Sequence, residues 1–162
     1  MSKKTVLVTG ATGKQGGAVA RKLLERGHKV RALSRKVDAP AARALVTLGA
    51  EVIAGDLTDR ASIDRALKGT DAVFAMSTPF EAGMDAETTQ GIVGADAAKA
   101  AGVHLVYTSV GSANRATGIP HFESKWRVEQ HIKKIGATAT VLGPVYFMEN
   151  VVAFTLQQLR EG

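Results

Sequence analysis

The chain has 162 residues, of which 45% are hydrophobic and 22% charged, a composition typical of one globular domain and not of a disordered or collagen-like chain. Basic residues exceed acidic ones by 21 to 15, but no run of basic residues reaches five, which argues against direct nucleic-acid binding. The sequence contains no Cys, so disulfide frameworks, thiolate zinc sites and cysteine nucleophiles are excluded. The apolar stretch after Lys4 ends at Gly10, and no later stretch approaches the roughly 18 apolar residues of a membrane span, so we expect a cytoplasmic protein without membrane association.

Short apolar segments alternate along the chain with longer segments of helical period, and Gly, Asp, Pro or Ser marks each change. The predicted strands are Thr5–Thr9, Lys29–Ser34, Glu51–Ala54, Ala72–Met76, His104–Thr108 and Thr138–Leu142. The predicted helices are about Gly13–Arg26, Ala41–Leu48, a cap at Thr58 or Asp59 through Leu67, about Ala86–Ala101, Phe122–Ile135 and about Glu149–Arg160. This alternation predicts an α/β fold with three layers, αβα, around a parallel sheet of about six strands. No linker divides the chain, so we expect a single domain over residues 1–162.

Three glycines, Gly10, Gly13 and Gly16, are spaced as GxxGxxG between the first predicted strand and the first predicted helix. Gly10 permits a tight turn, Gly13 lets the backbone approach a pyrophosphate, and Gly16 permits close packing of helix on strand. The N-terminus of the helix offers free N–H groups and a partial positive charge to the same phosphates. The alternative is a glycine-rich turn without a ligand. The cofactor-binding candidates in this loop are Gly10, Thr12, Gly13, Lys14, Gln15 and Gly16.

The end of the second predicted strand indicates which dinucleotide is bound. An acidic residue there accepts from the 2′-hydroxyl of NAD, whereas a basic one pairs with the 2′-phosphate of NADP. Here Ser34, Arg35 and Lys36 end the strand, and the first carboxylate comes only at Asp38. The guanidinium of Arg35 can grip a phosphate with two hydrogen bonds, so the sequence predicts NADP(H) in preference to NAD(H). The alternative is that Arg35 and Lys36 only solvate a loop.

Several segments together resemble the NmrA-like family, whose members are atypical short-chain dehydrogenases/reductases. They are the opening VLVTGATGKQGGAVA, then Gly55-Asp56-Leu57, then Tyr107-Thr108-Ser109, and finally Gly143-Pro144-Val145-Tyr146-Phe147-Met148-Glu149-Asn150. The resemblance extends from Thr5 to about Gly162. It implies a Rossmann fold that binds a nicotinamide dinucleotide.

The resemblance also implies where further residues lie on the cofactor. It assigns Asp56 and Leu57 to the adenine, Ser77, Thr78 and Pro79 to the ribose on the nicotinamide side, and Pro144, Val145 and Phe147 to the nicotinamide pocket. Two of these have equally ordinary structural roles. Asp56 could cap a helix, and Pro79 could form a turn.

The chain departs from the family pattern at one catalytic position. Short-chain reductases use a Tyr as general acid, a Lys four residues later, and a Ser at the end of the fifth strand. Ser109 and Lys125 occupy the Ser and Lys positions, but His121 stands where the Tyr is expected. Because four residues make about one helical turn, His121 and Lys125 share a face, and the ammonium disfavours a protonated His121. The catalytic candidates are therefore Lys125, His121 and Ser109; alternatively Lys125 holds ribose hydroxyls, and His121 contacts the ligand or only begins a helix.

Other catalytic patterns are missing from the sequence, which contains neither a GxSxG elbow nor HExxH. Its four histidines lack the spacing of metal ligands, so we predict no metal site. Two functions stay open. One is an NADP(H)-binding redox or cofactor sensor read by a regulatory protein partner, which the missing Tyr favours. The other is an NADPH-dependent reductase of quinones or small carbonyl compounds.

The resemblance also bears on the end of the sequence. Relatives continue into a C-terminal lobe that closes over the nicotinamide, whereas this sequence stops at Arg160-Glu161-Gly162. We therefore expect a nucleotide-binding core without the substrate lobe, in which an open cleft is poor for hydride chemistry. The apolar side chains of the last predicted helix would then be exposed and drive self-association. They are Val151, Val152, Phe154 and Leu156.

Overall fold

The computed structural model describes residues 2–77, 83–115, 118–150 and 159. Its strands are β1 (Thr5–Val8), β2 (Lys29–Ser34), β3 (Glu51–Ala54), β4 (Ala72–Ala75), β5 (His104–Thr108) and β6 (Ala139–Leu142). Its helices are α1 (Lys14–Glu25), α2 (Pro40–Thr47), α3 (Arg60–Leu67), α4 (Gly83–Ala101), α5 (Pro120–Ile135) and the short α6 (Met148–Asn150), with a 3₁₀ turn at Ala113–Arg115. None of the helices in these ranges is long and apolar enough to cross a membrane.

The strands form one six-stranded sheet in the order β3-β2-β1-β4-β5-β6, and every neighbouring pair is parallel. The chain moves outward from β1 to β3, returns to β4 beside β1, and continues outward to β6. This is the strand order of the Rossmann fold, with its topological switch point between β1 and β4. The predicted α/β fold with a parallel sheet of about six strands is confirmed.

Helices cover the sheet on both faces and bury two apolar clusters. Leu7, Val73 and Leu105 belong to the cluster that includes residues of α3, α4 and α5. Val8 and Phe74, their neighbours along the strands, belong to the cluster with residues of α1 and α2. Strands that are apolar on both faces are what a doubly covered parallel sheet requires. The outer strand β6 is the exception, since Val141 and Leu142 are 41% and 42% exposed.

Most predicted elements are present, with shifts at their ends. Of the two predicted caps of α3, Asp59 fills the role, because its Oδ1 accepts a hydrogen bond from the N–H of Ala61 at 3.0 Å. Helix α5 begins two residues earlier than predicted, at Pro120, since proline is well suited to the first turn, where the backbone N–H has no helical acceptor. Helix α4 begins at Gly83 instead of about residue 86.

The last predicted helix can be followed only at its start. Glu149 and Asn150 are helical, in α6. The four apolar residues expected to be exposed on that helix, Val151, Val152, Phe154 and Leu156, lie outside the described residues. Their predicted role in self-association therefore stays a prediction.

Candidate functional site

A crevice of about 470 Å³ opens at the carboxyl ends of β1, β2, β3 and β4. It includes the switch point between β1 and β4, where ligands bind in open α/β sheets. Eight of the residues predicted to bind a cofactor line it: Gly10, Thr12, Gly13, Ser34, Arg35, Lys36, Asp56 and Leu57. The structure thus joins three segments that are far apart in the sequence. It also adds Met76 and Gln90, which sequence reasoning missed.

The glycine loop has the geometry that its spacing predicts. Gly10 has a positive φ of 61°, a conformation that favours glycine. A Cβ at Gly16 would lie 2.3 Å from the carbonyl oxygen of Gly10, so the first turn of α1 can approach the loop this closely only with glycine at that position. Gly13 is the N-cap of α1, and no side chain caps the helix there. The N–H groups of the first turn are therefore open to an anionic ligand.

Ser34, Arg35 and Lys36 form the wall of the crevice at the end of β2. The buried hydroxyl of Ser34 donates to the carbonyl oxygen of Lys36 at 3.1 Å and accepts from the N–H of Lys36 at 3.2 Å. These two hydrogen bonds, between the side chain of Ser34 and the backbone of Lys36, stabilise the turn after β2. Arg35 and Lys36 are exposed at the crevice and carry its positive charge.

Asp56 lies across the crevice, in the turn between β3 and α3. Its Oδ1 accepts hydrogen bonds from the hydroxyl and from the N–H of Thr58, both at 2.7 Å. These two hydrogen bonds, with a smaller contribution from the positive charge of Arg35, hold the pKa of Asp56 below its usual value. Asp56 is therefore a carboxylate near neutral pH and belongs to the turn as well as to the crevice.

Lys125 is buried behind the ends of β4 and β5, with only 3% of its surface exposed. Its Nζ lies 2.7 Å from the carbonyl oxygen of Ser77 and 3.3 Å from the Ser77 hydroxyl. The same Nζ lies 3.4 Å from the carbonyl oxygen of Thr108 and 3.1 Å from Oε1 of Glu87. Burial lowers the pKa of Lys125, and the negative charge of Glu87 opposes that shift. Four protein oxygens thus surround a group with three N–H donors.

Glu87 on α4 is the fully buried partner of this ammonium, and sequence reasoning missed it. Its Oε2 lies 3.2 Å from Nδ1 of His121 and accepts a hydrogen bond from the hydroxyl of Ser124. Its Oε1 receives no well-aligned hydrogen bond from the described residues, so the contact with Lys125 is an ion pair. His121 and Lys125 therefore meet on one carboxylate, as their four-residue spacing indicates.

The sequence contained a signal for Glu87. The buried residues of α4 recur at helical spacing, and Glu87 lies on the same face as the small residues among them. A carboxylate on the buried face of a helix needs a positively charged partner inside the protein. The stripe consists of Glu87, Gly91, Gly94, Ala95 and Ala98.

Ser109 follows β5 but is not part of this ion pair. Its hydroxyl, in a side chain that is 6% exposed, donates to Oε1 of Glu129 on α5. Gln15 of the glycine loop reaches the neighbouring residue, with its Nε2 donating to Oγ1 of Thr108 at 2.9 Å. The three catalytic candidates thus divide into a pair on Glu87 and a separate contact between Ser109 and Glu129.

A tyrosine does lie near Lys125, but on β5. The buried ring of Tyr107 has its centroid 5.4 Å from Nζ of Lys125, and its hydroxyl lies 3.5 Å from Oγ of Ser77. Burial is the main cause that raises the pKa of Tyr107 above its usual value, so the phenol is neutral near neutral pH. In this structure the Tyr107 ring packs against the ammonium of Lys125, and its hydroxyl contacts the hydroxyl of Ser77.

The residues predicted for the nicotinamide side are only partly described. Pro144 lies beside the loop after β5, because its carbonyl oxygen accepts from the N–H of Gly111 at 2.8 Å. Val145 and Phe147 follow it and are 80% and 40% exposed. Thr78 and Pro79 lie outside the described residues.

A second hollow, of about 880 Å³, lies between α5 and β6, where Trp126, Lys133 and Val141 are among its lining residues. It contains none of the predicted site residues and lies away from the glycine loop, so its larger volume does not make it the better candidate. Among the residues that the structure describes, no group of three or more His, Cys, Asp or Glu side chains converges to hold a metal ion.

Solved structures with the same fold include an oxidoreductase and a transcriptional regulator, each in complex with a dinucleotide. A NADPH-dependent quinone oxidoreductase from Escherichia coli, complexed with NADPH, has a TM-score of 0.82 and 27% identity and matches 97% of this chain and 54% of its own. NmrA, a negative transcriptional regulator, in complex with NADP has a TM-score of 0.75 and 28% identity and matches 87% of this chain and 45% of its own. NmrA has also been solved in complex with NAD.

Sequence comparison gives the same relationship. The NmrA-like family domain-containing oxidoreductase FrzB of Cladobotryum sp is 35% identical over an alignment of 161 positions, which covers 91% of this chain and 48% of the relative. This chain thus spans about half the length of the curated relatives it matches. The profile of the NmrA-like family itself matches residues 2–162. On this match, and on the sheet order and glycine loop that agree with it, the chain belongs to the NmrA-like family.

Proposed function

We propose that this chain binds NADP(H) in the crevice at the switch point and acts as a redox- or cofactor-sensing regulatory protein. The observation that carries the binding is the pairing of a glycine loop with a basic wall in one crevice. Three segments that meet only in the folded chain supply the groups that a phosphorylated dinucleotide needs. The NADP complexes of the two similar structures support the same cofactor class.

The residues of the crevice fit the dinucleotide. Because Gly13 caps α1 without a side-chain hydrogen bond, the first-turn N–H groups are available to the pyrophosphate. The apolar Leu57 and Met76 line the same crevice as the exposed cations, so the crevice offers apolar contacts to a base and positive charge to a phosphate. When bound, the nicotinamide supplies hydride chemistry, and the chain's own residues bind and orient the dinucleotide.

The preference for NADP(H) rests on Arg35 and Lys36. Both line the crevice and are exposed, and no carboxylate ends β2 to accept from a 2′-hydroxyl. A guanidinium can bind a phosphate with two charge-assisted hydrogen bonds, which a ribose hydroxyl cannot match. Arg35 and Lys36 should therefore stabilise bound NADP(H), through its 2′-phosphate, more than bound NAD(H).

Calorimetry with NADP⁺ and NAD⁺ tests this assignment. Arg35→Ala should weaken NADP⁺ binding by about 1.5–3 kcal/mol, the range for a hydrogen bond to a charged group, and leave NAD⁺ binding nearly unchanged. Arg43→Ala is the matched control, because Arg43 is exposed on the neighbouring α2 and does not line the crevice. Equal weakening of both dinucleotides by Arg35→Ala would contradict the 2′-phosphate assignment.

A sensing role is supported by the surroundings of Lys125. A reductase of the short-chain type needs a proton donor beside this lysine, and His121 stands at the position of the tyrosine. His121 contacts the same carboxylate as Lys125, and the ammonium is surrounded by protein oxygens. These contacts favour a group that stabilises the site over one that takes part in proton transfer.

The second candidate is an NADPH-dependent reductase of quinones or small carbonyl compounds, which the names of FrzB and of the Escherichia coli oxidoreductase favour. Incubation of the purified chain with NADPH and a panel of quinones and aldehydes, followed by the absorbance of the reduced nicotinamide, separates the two. A sensor should bind NADPH without consuming it. Turnover that Lys125→Ala abolishes, in a variant whose circular dichroism spectrum shows it folded, would overturn the sensing role.

A further inference from the structure

Strand β6 forms an open edge of the sheet. Among the residues that the structure describes, it has β5 on one side and no strand on the other. The carbonyl oxygens of Thr138 and Leu142 accept hydrogen bonds from the β5 side, at 2.9 and 2.8 Å. Because successive residues of a strand direct their backbone groups to opposite sides, the N–H and C=O groups of Ala139 and Val141 point to the open edge. Proteins commonly protect such an edge with charged side chains or proline, and the sequence of β6, Ala-Thr-Val-Leu, contains neither.

The hollow between α5 and β6 lies along the same edge. Ala139 and Val141 line it from the strand, and Val141 is 41% exposed there. Trp126, Glu129 and Lys133 line it from α5. Because these three residues are spaced by three and four positions, they form one row along the helix, which we call the α5 row. The row is aromatic at its first end and basic at its last, with a carboxylate between.

The α5 row is complementary to a second copy of itself. A two-fold axis through the open edge reverses the direction of α5 in the second copy, so the first end of one row faces the last end of the other. Trp126 of each copy then meets Lys133 of the other, and an ammonium over the face of a Trp ring is a favourable contact. The two Glu129 carboxylates lie near the axis, between the two lysines, so charges of opposite sign alternate across the contact.

The backbone of β6 is complementary about the same axis. At about 3.3 Å per strand residue and 1.5 Å per helix residue, counted from the turn at Gly136, Thr140 is level with the middle of α5, near Glu129. With Thr140 on the axis, Ala139 of one copy lies opposite Val141 of the other, and their outward N–H and C=O groups pair as in an antiparallel ladder. On the α5 face of the sheet, a small side chain is then beside a branched one.

We propose that two copies of this chain associate through their β6 edges about a two-fold axis, so that the six strands of each copy join in one continuous sheet. Backbone hydrogen bonds connect the strands, and the α5 row of each copy covers the hollow of the other. The contact uses neither the glycine loop nor Lys125. It is therefore independent of the proposed binding of NADP(H).

An engineered disulfide tests the register, because the chain contains no Cys of its own. Thr140 is exposed, and residues that face each other in a non-hydrogen-bonded antiparallel pair have Cα atoms about 4.5 Å apart. Disulfides form at Cα separations of roughly 4.4–6.8 Å, so Thr140→Cys should give a covalent dimer under mild oxidation.

Leu142→Cys is the matched control. Leu142 is exposed and lies two residues along the same face of β6, but its equivalent in the second copy is about 13 Å away in this register. The control should therefore cross-link at least about tenfold more slowly than Thr140→Cys.

Two further variants test the edge and the α5 row. Val141→Pro removes an N–H that points away from β5, which an edge strand tolerates, so it should stay folded by circular dichroism. In sedimentation velocity it should reduce the rise of the weight-average sedimentation coefficient with protein concentration. Lys133→Glu should do the same, because it opposes a carboxylate to Trp126 and Glu129 of the second copy. Lys68→Glu changes the net charge equally at an exposed lysine outside the hollow and should have no effect.

Each outcome decides the inference. A chain that sediments as a monomer at every concentration overturns it, as does cross-linking of Thr140→Cys and Leu142→Cys at the same rate. Association that persists in a folded Val141→Pro places the contact elsewhere and overturns it too. If Val141→Pro does not fold, the comparison of Lys133→Glu with Lys68→Glu and the cysteine pair decide.

Discussion

Lys125 is a buried cation that the chain holds with its own carboxylate and carbonyl oxygens. It links α5 to Glu87 on α4 and to the backbone at the ends of β4 and β5. Because the ammonium is desolvated, the contacts that surround it offset a large solvation cost. Whatever role Lys125 has toward a ligand, it is first a group on which the fold depends.

Removing this cation should therefore destabilise the protein strongly. Lys125→Met leaves the buried carboxylate of Glu87 without its lysine partner and with only the contacts of its Oε2 to His121 and Ser124, so we expect the free energy of unfolding in urea to fall by about 3–5 kcal/mol. Lys134→Met, a substitution of an exposed lysine on the same helix, should change it by less than about 0.5 kcal/mol.

The double variant Lys125→Met/Glu87→Leu tests the cause. It removes both charges, so it should be more stable than Lys125→Met alone. If the double variant is as unstable as the single one, the loss comes from packing around the side chain and not from the unpaired carboxylate.

Asp56 gives a second prediction, for acidic pH. Its hydrogen bonds from Thr58 hold the folded-state pKa below the ordinary 3.8, so the folded protein prefers the ionised carboxylate more than the unfolded chain does. The resulting stabilisation is complete above the ordinary value and is lost as the pH falls through the lowered pKa. The stability difference between the chain and Asp56→Asn should accordingly shrink as the pH falls from 6 to 3.

Unfolding midpoints measured at several pH values check this. Asp38→Asn serves as the control, because Asp38 is exposed and lies outside the crevice. A difference between the chain and Asp56→Asn that stays constant down to pH 3 would mean that the carboxylate charge is not what stabilises the turn.

At this scale the sequence predicts contacts that are local and misses those that depend on packing. Gly10, Gly16 and Arg35 could be assigned because each belongs to a short motif at the end of a predicted strand. The partners of Glu87 could not be assigned, because the stripe of small residues on α4 signals only that this carboxylate needs a charge partner, and how α4 packs against α5 decides which residue that is. Glu87 meets a histidine 34 positions away in the chain, and nothing in the local sequence fixes that distance.

At the scale of elements, a glycine on α4 allows α4 and α5 to pack closely together. A Cβ at Gly91 would lie 2.6 Å from Cγ2 of Val128, a buried and branched side chain that cannot easily move aside. At Gly94, one turn further, the nearest atom is the Cβ of Ala75 at 4.0 Å. The same helix therefore contains one glycine that packing requires and one that it does not.

We expect opposite effects from the same substitution at these two positions. Gly91→Ala should destabilise the protein by about 1–3 kcal/mol through overpacking. Gly94→Ala should stabilise it by about 0.5–1 kcal/mol, because alanine loses less backbone entropy than glycine in a helix. Urea unfolding measures both, and Val128→Ala should reduce the cost of Gly91→Ala. The account of the interface would be wrong if the two alanine variants were equally stable.

Element type and order were predictable, whereas several ends were not. The alternation of strand-length and helix-length segments predicts six strands, and each of them is present in the sheet. The predicted start of α5 at Phe122 is too late, because proline breaks a helix in its interior but suits its first turn, where Pro120 lies. Strand β1 ends before Thr9 because the Thr9 hydroxyl pairs with the backbone N–H of Met76 at the edge of the crevice.

At the scale of the whole molecule, the apolar surface is unevenly distributed. Val145, Tyr146 and Met148 are 80%, 59% and 78% exposed, and only Gly143 and Pro144 separate this segment from Val141 and Leu142 of the outer strand β6. We call these five residues the C-terminal apolar surface. Exposed apolar side chains concentrated in one short segment favour association with other molecules. The surface directly precedes the segment for which self-association was predicted from the sequence.

The chain should therefore self-associate through the C-terminal apolar surface. In sedimentation velocity, we expect the weight-average sedimentation coefficient to rise with protein concentration, and Tyr146→Ser/Met148→Ser to reduce that rise because it removes two of the most exposed apolar side chains. Val46→Ser/Leu48→Ser is the matched control, since those residues are 54% and 52% exposed at the end of α2, on the opposite side of the sheet order. A monomer at every concentration, or an equal effect of the control pair, would show that this surface does not drive association.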